Sequence, residues 1–369
     1  MKSIDALNRM AIAADPKPKR IASTRLPQGK AHGFCPIARP FMIVLLSGAT
    51  VFLGWRTLEV LVKDPDIKQI IATGRTLKPT HIIEHKKVTY ITGDLENKTF
   101  VRSLLKNTDT VVNAAALSSP WGDESLFENA NVHTQINLIE ASIEYGIKKF
   151  VFISSPSLYF KYKNRFEVKE EDALPQNLIN QYAKTKRKAE VLLISSGLTY
   201  VILRPRAIIG RGDTVIMPRL IRAFDEGRLK IIGDGKNHAD LTSVENVANA
   251  IVLSIKAKGG AMNEIYNISN GAPVVLWDAI SDVLTRLNRK PPTKKIPFKI
   301  IKLVAQFLEL KSRLTNKAEP ALTQYGVGTL AISLTMDISK AKNLLGYQPK
   351  VTTEEAIDEF VKWYTAHGE

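Results

Sequence analysis

Three of the ten tyrosines are followed four positions later by lysine: Tyr145 with Lys149, Tyr159 with Lys163, and Tyr182 with Lys186. A pair of this kind can move a proton. When hydride reaches a carbonyl carbon, the oxygen takes on negative charge and needs a donor beside it. A phenol at its reference pKa of ~10 is a sluggish base in the reverse direction, and an adjacent ammonium favours its phenolate. The bare pattern does not choose among the three. Gly146 ends a helical pattern inside the first, and the second lies in a loop after Pro156. Tyr182 and Lys186 alone fall inside a long helical pattern, NQYAKTKRKAEVLLISSG, where i,i+4 spacing puts both on one face. Upstream, Ser155 ends the predicted strand VFISS, and its hydroxyl can hold the carbonyl by a second hydrogen bond. Ser155, Tyr182 and Lys186 are therefore the candidate catalytic set. The bland alternative makes Tyr182 and Lys186 ordinary surface residues of an amphipathic helix.

A second chemistry is phosphate binding. SGATVFLG (47–54) follows the apolar run FMIVLL and precedes a helical pattern. In a strand–turn–helix of the form GxxGxxG, the first glycine permits the tight turn. The second lets backbone approach a pyrophosphate, and the third lets the helix pack on the strand. The phosphates then sit at the positive end of the helix dipole. Gly48 and Gly54 hold the outer positions, and Thr50, Val51, Phe52 and Leu53 lie between them. Val51 takes the close-approach position, where a β-branched side chain adds bulk and resists positive φ. A backbone shift to relieve it would cost ~1–3 kcal/mol, so weakened cofactor affinity is expected.

NAD-preferring sites place an acid at the end of the second strand. Here that strand ends ATGR, with Arg75 able to meet a 2′-phosphate, so NADP(H) is favoured over NAD(H). Asp94 and Leu95 (in ITGDL) and Asn113, Ala114 and Ala115 (in VNAAA) close the third and fourth strands, where the adenosine half would lie. Pro205 closes the later strand TYVILRP and joins the candidate cofactor contacts. HIIEH (81–85) fits the HxxEH pattern of some zinc proteases, but it lies between a Lys-Pro-Thr turn and a strand, without room for the helix such ligands require. No metal site is assigned.

The elements that must position these residues alternate. FMIVLL (41–46), KQIIATGR (68–75), KVTYITGDL (87–95), DTVVNAAA (109–116), FVFISS (150–155) and TYVILRP (199–205) read as strands. Between them FLGWRTLEVLVKD (52–64), NKTFVRSLLKN (97–107), ANVHTQINLIEASIEYG (130–146) and the Tyr182 segment read as helices. Short buried strands alternating with helices predict an α/β fold with a doubly wound parallel Rossmann sheet, whose ligands sit at the carboxyl ends of the strands. The division expected is a basic tail over 1–40, or an upstream start that the mature protein does not use, then a dinucleotide-binding domain over 41–270. Within that domain, 205–240 would contribute to the substrate side, and 271–369 would form a smaller, helix-rich substrate-binding region. In the latter, FKIIKLVAQFLELKSRL (298–314) reads as a core-facing helix, with a hydrophobic substrate wall or membrane-surface contact as the alternative.

Composition narrows the partners. The 369 residues are 44% hydrophobic and 24% charged, the profile of a soluble globular chain of about two domains. The net charge is +16, yet lysines are scattered apart from KTKRK (184–188) and NRKPPTKK (288–295), with no aromatic-interleaved motif, so nucleic acid is not expected. An anionic ligand or membrane surface remains compatible with that charge. The single cysteine, Cys35, excludes an internal disulfide and fits a reducing compartment. No secretory apolar segment is present, Asp5 and Asp15 weaken a transit-peptide reading, and the uncharged stretch 41–55 is shorter than the ~20 residues of a membrane span. A cytoplasmic location is expected, with peripheral membrane association as an option.

Taken together these residues resemble the extended short-chain dehydrogenase/reductases, the family of nucleotide-sugar epimerases and 3β-hydroxysteroid dehydrogenases, over roughly 41–364. LRPRAIIGRGD (203–213), MPRL (217–220), IIGDGKNHAD (231–240) and SVENVANA (243–250) are similar to the steroid-dehydrogenase-like branch. Trp121-Gly122, after the NAA stretch, is similar to the 2-alkyl-3-oxoalkanoate reductases, and LLGYQPKVTTEEAI (344–357) is a family-like ending. The resemblance implies that Tyr182 is the proton donor/acceptor, that Lys186 binds the nicotinamide ribose and tunes Tyr182, and that Ser155 orients the carbonyl. It places Gly48 and Gly54 at the pyrophosphate. Lack of RYFN after the strand LRPRA argues against a nucleotide sugar.

Three positions depart from the family pattern: Val51 for glycine, Thr134 for a small residue, and Arg211 for the proline of GPGD. They imply weaker cofactor binding, altered helix packing and a loop change, respectively. The function so implied is an NAD(P)H-dependent oxidoreductase that interconverts a ketone and a secondary alcohol on a hydrophobic substrate, sterol-like or a long-chain 2-alkyl-3-oxoacid. A nucleotide-sugar epimerase/dehydratase, or a non-catalytic NAD(P)-binding protein weakened by Val51, are the alternatives. A homodimer through the helices bearing Tyr182 is expected by analogy.

Overall fold

A computed structural model of the chain describes residues 41–315 and 318–367. The expected tail over 1–40, with Cys35, lies outside them. Seven strands form the main sheet: β1 (Met42–Ser47), β2 (Ile67–Gly74), β3 (Val88–Thr92), β4 (Thr110–Asn113), β5 (Lys149–Ile153), β6 (Tyr200–Pro205) and β7 (Glu264–Ile268). All neighbours are parallel, in the order β3-β2-β1-β4-β5-β6-β7. The order reverses between β1 and β4, which opens a crevice outside their carboxyl ends.

Alternation along β1 builds two core layers. Val44 and Leu46 face the side covered by α1 (Phe52–Leu61) and α5 (Val244–Lys256), through Leu58, Val247 and Ile251. Leu45 faces the other side, covered by α2 (Lys98–Leu105), α3 (Thr134–Glu144) and α4 (Gln181–Ile194), through Leu104, Leu138 and Leu193. With both faces covered, the strand reads as a continuous apolar run. Each such aliphatic side chain contributes ~1.5–3 kcal/mol by its burial.

β7 is the strand the sequence reading lacks. Glu264 and Asn267 interrupt its apolar run, and the buried Asn267 amide is held by the Val168 carbonyl at 2.9 Å rather than by an apolar neighbour.

The remaining elements cap the carboxyl side. A four-stranded sheet joins Val274–Val275, His238–Ala239, Leu334–Met336 and Arg165–Val168, so segments from distant parts of the chain meet there. Around it lie α6 (Leu276–Arg286), α7 (Phe298–Leu314), α8 (Gln324–Thr329) and α9 (Thr353–His367). Trp277, Ile280 and Leu284 of α6 pack with Ile357 and Phe360 of α9.

The expectation for α7 is overturned in part. Its bounds agree with the sequence reading, and one face, with Phe298, Ile301 and Ala305, packs on the core, but the opposite face does not. Only Ala305 and Ser312 are buried, whereas Ile300, Leu303, Val304, Phe307, Leu310 and Leu314 are exposed. The helix is apolar on more than one face, and it is the face with Phe298, Ile301 and Ala305 that meets the protein.

Candidate active site

The turn after β1 shows why its outer positions are glycine. Gly48 has φ +71°, and a Cβ there would lie 2.8 Å from the Ala115 nitrogen and 2.9 Å from the Ala114 carbonyl carbon. A Cβ on Gly54 would meet the Gly48 carbonyl oxygen at 2.0 Å. The end of β4 is therefore drawn against the turn. The Ser47 hydroxyl donates to Asn113 Oδ1 at 2.6 Å, the Ala114 amide to the Ser47 carbonyl at 3.2 Å, and Asn113 Nδ2 to Gln135 Oε1 at 2.7 Å.

Val51 differs from expectation. It precedes α1 with φ −127° and ψ 168°, ordinary extended backbone, and its side chain is 51% exposed. The position does not call for positive φ, so no backbone strain arises from the valine. Phe52 turns its ring into the interior and Leu53 packs at the edge of the core, which leaves their backbones to the turn. The buried Thr50 sits where a side chain at the end of β2 would stand: a Cβ on Gly74 would lie 2.2 Å from Thr50 Oγ1. There is no room for an acid there. Arg75 follows, exposed, and makes no ion pair among the described residues.

His81 of HIIEH braces the same turn: Nδ1 is 3.1 Å from the Thr50 carbonyl, and the ring stacks on Trp55 at 4.6 Å. His85 is on the surface, accepting the Lys87 amide. Among the described residues no cluster of three or more His, Cys, Asp or Glu could hold a metal. Asp94, exposed beyond β3, accepts the Glu96 amide at 2.9 Å; Leu95 is buried, its carbonyl bound by Asn137.

At the ends of β5 and β6 the second group assembles. The Asn180 side chain accepts the Ala183 amide at 2.9 Å and caps α4, so Tyr182 falls in the first turn and Lys186 one turn on. Ser155 follows β5, its hydroxyl 3.0 Å from that of Ser157. The Tyr182 hydroxyl has both Ser155 and Ser118 as polar neighbours. Burial pushes the Tyr182 phenol up, and the two serines act against that rise.

Lys186 is buried. Its amine donates to the Ile153 carbonyl at 2.6 Å and stands 4.4 Å from the centre of the Phe152 ring. Burial lowers it to about 7, with the Glu190 carboxylate opposing. Desolvation dominates both groups, and the phenol keeps its proton at neutral pH.

Behind Lys186, Glu190 receives Arg204 at 2.8 and 2.7 Å, and Arg204 also donates to the Tyr159 hydroxyl. Tyr159 in turn donates to Asn267 Oδ1 at 3.1 Å, so the second Tyr–Lys candidate is a buried structural tyrosine. In the first, Lys149 opens β5 at the opposite end of the sheet and donates to the Ile255 and Ala257 carbonyls, each at 2.6 Å. Pro205 ends β6, buried beside Ile268.

The next residue, Arg206, neighbours Tyr325 of α8, whose ring meets Phe160 edge-on at 5.3 Å. Phe160 packs against Tyr162 at 5.4 Å, and Tyr162 against Phe298 at 6.1 Å. The sequence reading missed Ser118, Glu190, Arg204, Arg206 and Tyr325. Ser118 was within reach, shortly after VNAAA; Tyr325 sits in no motif. Of the departures, Thr134 bonds the Ala130 carbonyl at 2.7 Å inside its own helix. Arg211 is more than a loop change, because it lies 4.7 Å from the Trp55 ring centre and pairs with Glu59 and Glu359, tying α1 to α9.

The model of the family described as "NAD dependent epimerase/dehydratase family" matches residues 44–269. The 3β-hydroxysteroid-dehydrogenase/decarboxylase isoform 1 of Arabidopsis thaliana is 35% identical over 291 residues, 74% of this chain and 66% of that protein. The 2-alkyl-3-oxoalkanoate reductase of Stenotrophomonas maltophilia is 30% identical over 325 residues, 86% of this chain and 97% of that one. The structure of UDP-glucuronic acid 4-epimerase from Bacillus cereus in complex with NAD superposes with a TM-score of 0.71 at 21% identity, covering 89% of this chain and 100% of that one, a likeness of fold alone.

Proposed function

The chain belongs to the NAD dependent epimerase/dehydratase family, and from that premise we propose that it reduces a ketone on a hydrophobic substrate, sterol-like or a long-chain 2-alkyl-3-oxoacid, with NADPH. The observation that carries this reading is the Tyr182 hydroxyl, placed in the first turn of α4 with Ser155 and Ser118 as its polar neighbours and kept protonated by burial. A neutral phenol is a proton donor, which suits reduction.

The residues present fit a dinucleotide. Gly48 and Gly54 let the turn, the start of α1 and the end of β4 approach one another as backbone: a Cβ on Gly48 would meet Ala114 and Ala115, and one on Gly54 the Gly48 carbonyl. The backbones of Thr50, Val51, Phe52 and Leu53 would face the pyrophosphate, and Asp94, Leu95, Asn113, Ala114 and Ala115 would flank the adenosine half. Arg75, exposed beyond a strand end that has no room for an acid, supports NADP(H) over NAD(H). Pro205 would border the nicotinamide half. The nicotinamide, when bound, supplies the hydride.

Tyr182 gives its proton to the carbonyl oxygen, and Ser155 and Ser118 hold the oxygen that becomes charged, with bonds strengthened by exclusion of water. Lys186 is the group that would bind the nicotinamide ribose and steady the phenolate once the proton has left. The hydrophobic substrate class rests on the two enzyme relatives and on the aromatic wall of Phe160, Tyr162, Phe298 and Tyr325.

The test is oxidation of NADPH in the presence of a 2-alkyl-3-oxoalkanoate or a 3-oxosteroid. Tyr182→Phe is expected to slow turnover ~10²–10⁴-fold with dinucleotide binding retained. Turnover of a UDP-sugar with neither ketone reduced would replace this reading by an epimerase. Binding of dinucleotide with no turnover of any of them would leave a non-catalytic protein.

A further inference from the structure

α7 offers an apolar surface that nothing in the described fold covers. Ile300, Leu303, Val304, Phe307, Leu310 and Leu314 recur at helical spacing on one face and are 42–77% exposed. Singly exposed leucines need no explanation, but a contiguous stripe of six does. The charges around it have one sign: Lys299, Lys302, Lys311 and Arg313. The one acidic residue of the helix, Glu309, is turned inward, where it accepts from the Gln324 amide at 2.7 Å and its side chain at 2.8 Å. No helix among the described residues is long and apolar enough to cross a membrane.

The placement of α7 matters as much as its composition. Near its start, Lys302 lies 3.6 Å from the centre of the Tyr162 ring, and Phe298 packs on the same ring. Near its end, Arg313 lies 5.3 Å from the centre of the Trp121 ring, in the loop that carries Ser118. The two rings belong to the segments that follow β4 and β5 and that carry Ser118 and Ser155. α7 therefore bridges these two segments beside Tyr182, with Phe298, Ile301 and Ala305 inward and the six exposed apolar residues outward.

We infer that the outer face of α7 docks on the surface of an anionic phospholipid bilayer, which brings the mouth of the Tyr182 crevice against the lipid. An apolar face flanked by cations is the pattern of helices that lie in a membrane interface. A second copy of the chain is a poorer partner: pairing α7 with itself would bring the same basic flanks together, in a chain already carrying +16. The docking stands apart from the proposed reaction, and its test uses no substrate.

Purified full-length protein is mixed with phosphatidylcholine vesicles, with or without phosphatidylglycerol, and sedimented. The protein is expected to pellet with the phosphatidylglycerol vesicles, less so as salt rises, and to stay in solution with phosphatidylcholine alone. Phe307→Ser with Leu303→Ser, or separately Lys299→Glu with Lys311→Glu, is expected to lower partitioning about tenfold or more. All four positions are exposed, so an unchanged melting temperature shows that folding is intact. Phe166→Ser, at an exposed aromatic on another element, is the control expected to bind as wild type. The inference is overturned if the wild-type chain ignores phosphatidylglycerol vesicles, or if both double variants pellet as it does. It is equally overturned if the chain is a dimer in solution that Phe307→Ser with Leu303→Ser dissociates, which would make the face a contact between copies.

Discussion

Glu190 and Arg204 form a buried, two-pronged ion pair, at 2.8 and 2.7 Å, one helical turn beyond Lys186. The pair sits under the catalytic helix and ties α4 to β6. It also fixes the charge that Lys186 feels, since the Glu190 carboxylate is the influence opposing desolvation of that amine.

Glu190→Gln keeps the shape and removes the charge, leaving the Arg204 guanidinium buried without its counterion. A loss of ~3–5 kcal/mol in unfolding free energy is expected from denaturant titration. In whatever fraction folds, the Lys186 amine should titrate lower than in wild type.

Lys186 is held at about 7 against its ordinary 10.5. Between those values the unfolded chain binds a proton that the folded chain does not, so this group makes folding more favourable as pH rises through the window. Below it the full penalty of burying an ammonium applies. Lys186→Met should therefore raise the melting temperature most below pH about 7, with the gain shrinking toward pH 10.5, while activity is lost. A gain that grew with pH would contradict this assignment.

Arg75 has no carboxylate partner among the described residues and is available to a 2′-phosphate. Arg75→Ala should weaken NADPH binding by about 2 kcal/mol, roughly thirtyfold, and leave NADH binding nearly unchanged. Calorimetric titration of both nucleotides checks it; equal losses would remove the NADP(H) preference.

Val51 and Gly54 make a paired test. Val51 has ordinary extended backbone and an exposed side chain, so Val51→Gly should change dinucleotide affinity no more than about threefold, under ~1 kcal/mol. Gly54→Ala would put a methyl 2.0 Å from the Gly48 carbonyl, and should cost several kcal/mol of stability along with cofactor binding. A tenfold gain in Val51→Gly would mean that the valine blocks the pyrophosphate.

Much of this protein is legible in its sequence because the signals are local. Fully buried parallel strands such as FMIVLL have to be apolar at every position, and a tyrosine and lysine four apart on a helix have to share a face, whatever surrounds them. Those facts gave six of the seven strands, the turn at Gly48 and the choice of Tyr182 over its two rivals. Local signals could not tell that Val51 needs no positive φ, because the backbone angle is set by how closely α1 packs on Gly48 and Ala49. They could not find Glu190 or Arg204 either, since an ion pair between a helix and the strand that follows it leaves no motif spacing behind. The burial that keeps the Tyr182 phenol protonated depends on the elements packed around it, which its own segment does not encode. α7 shows the division most sharply. Its sequence determines an apolar helix with basic edges, but whether that surface faces a core or the outside depends on which elements the topology leaves beside it, and only the folded chain decides that.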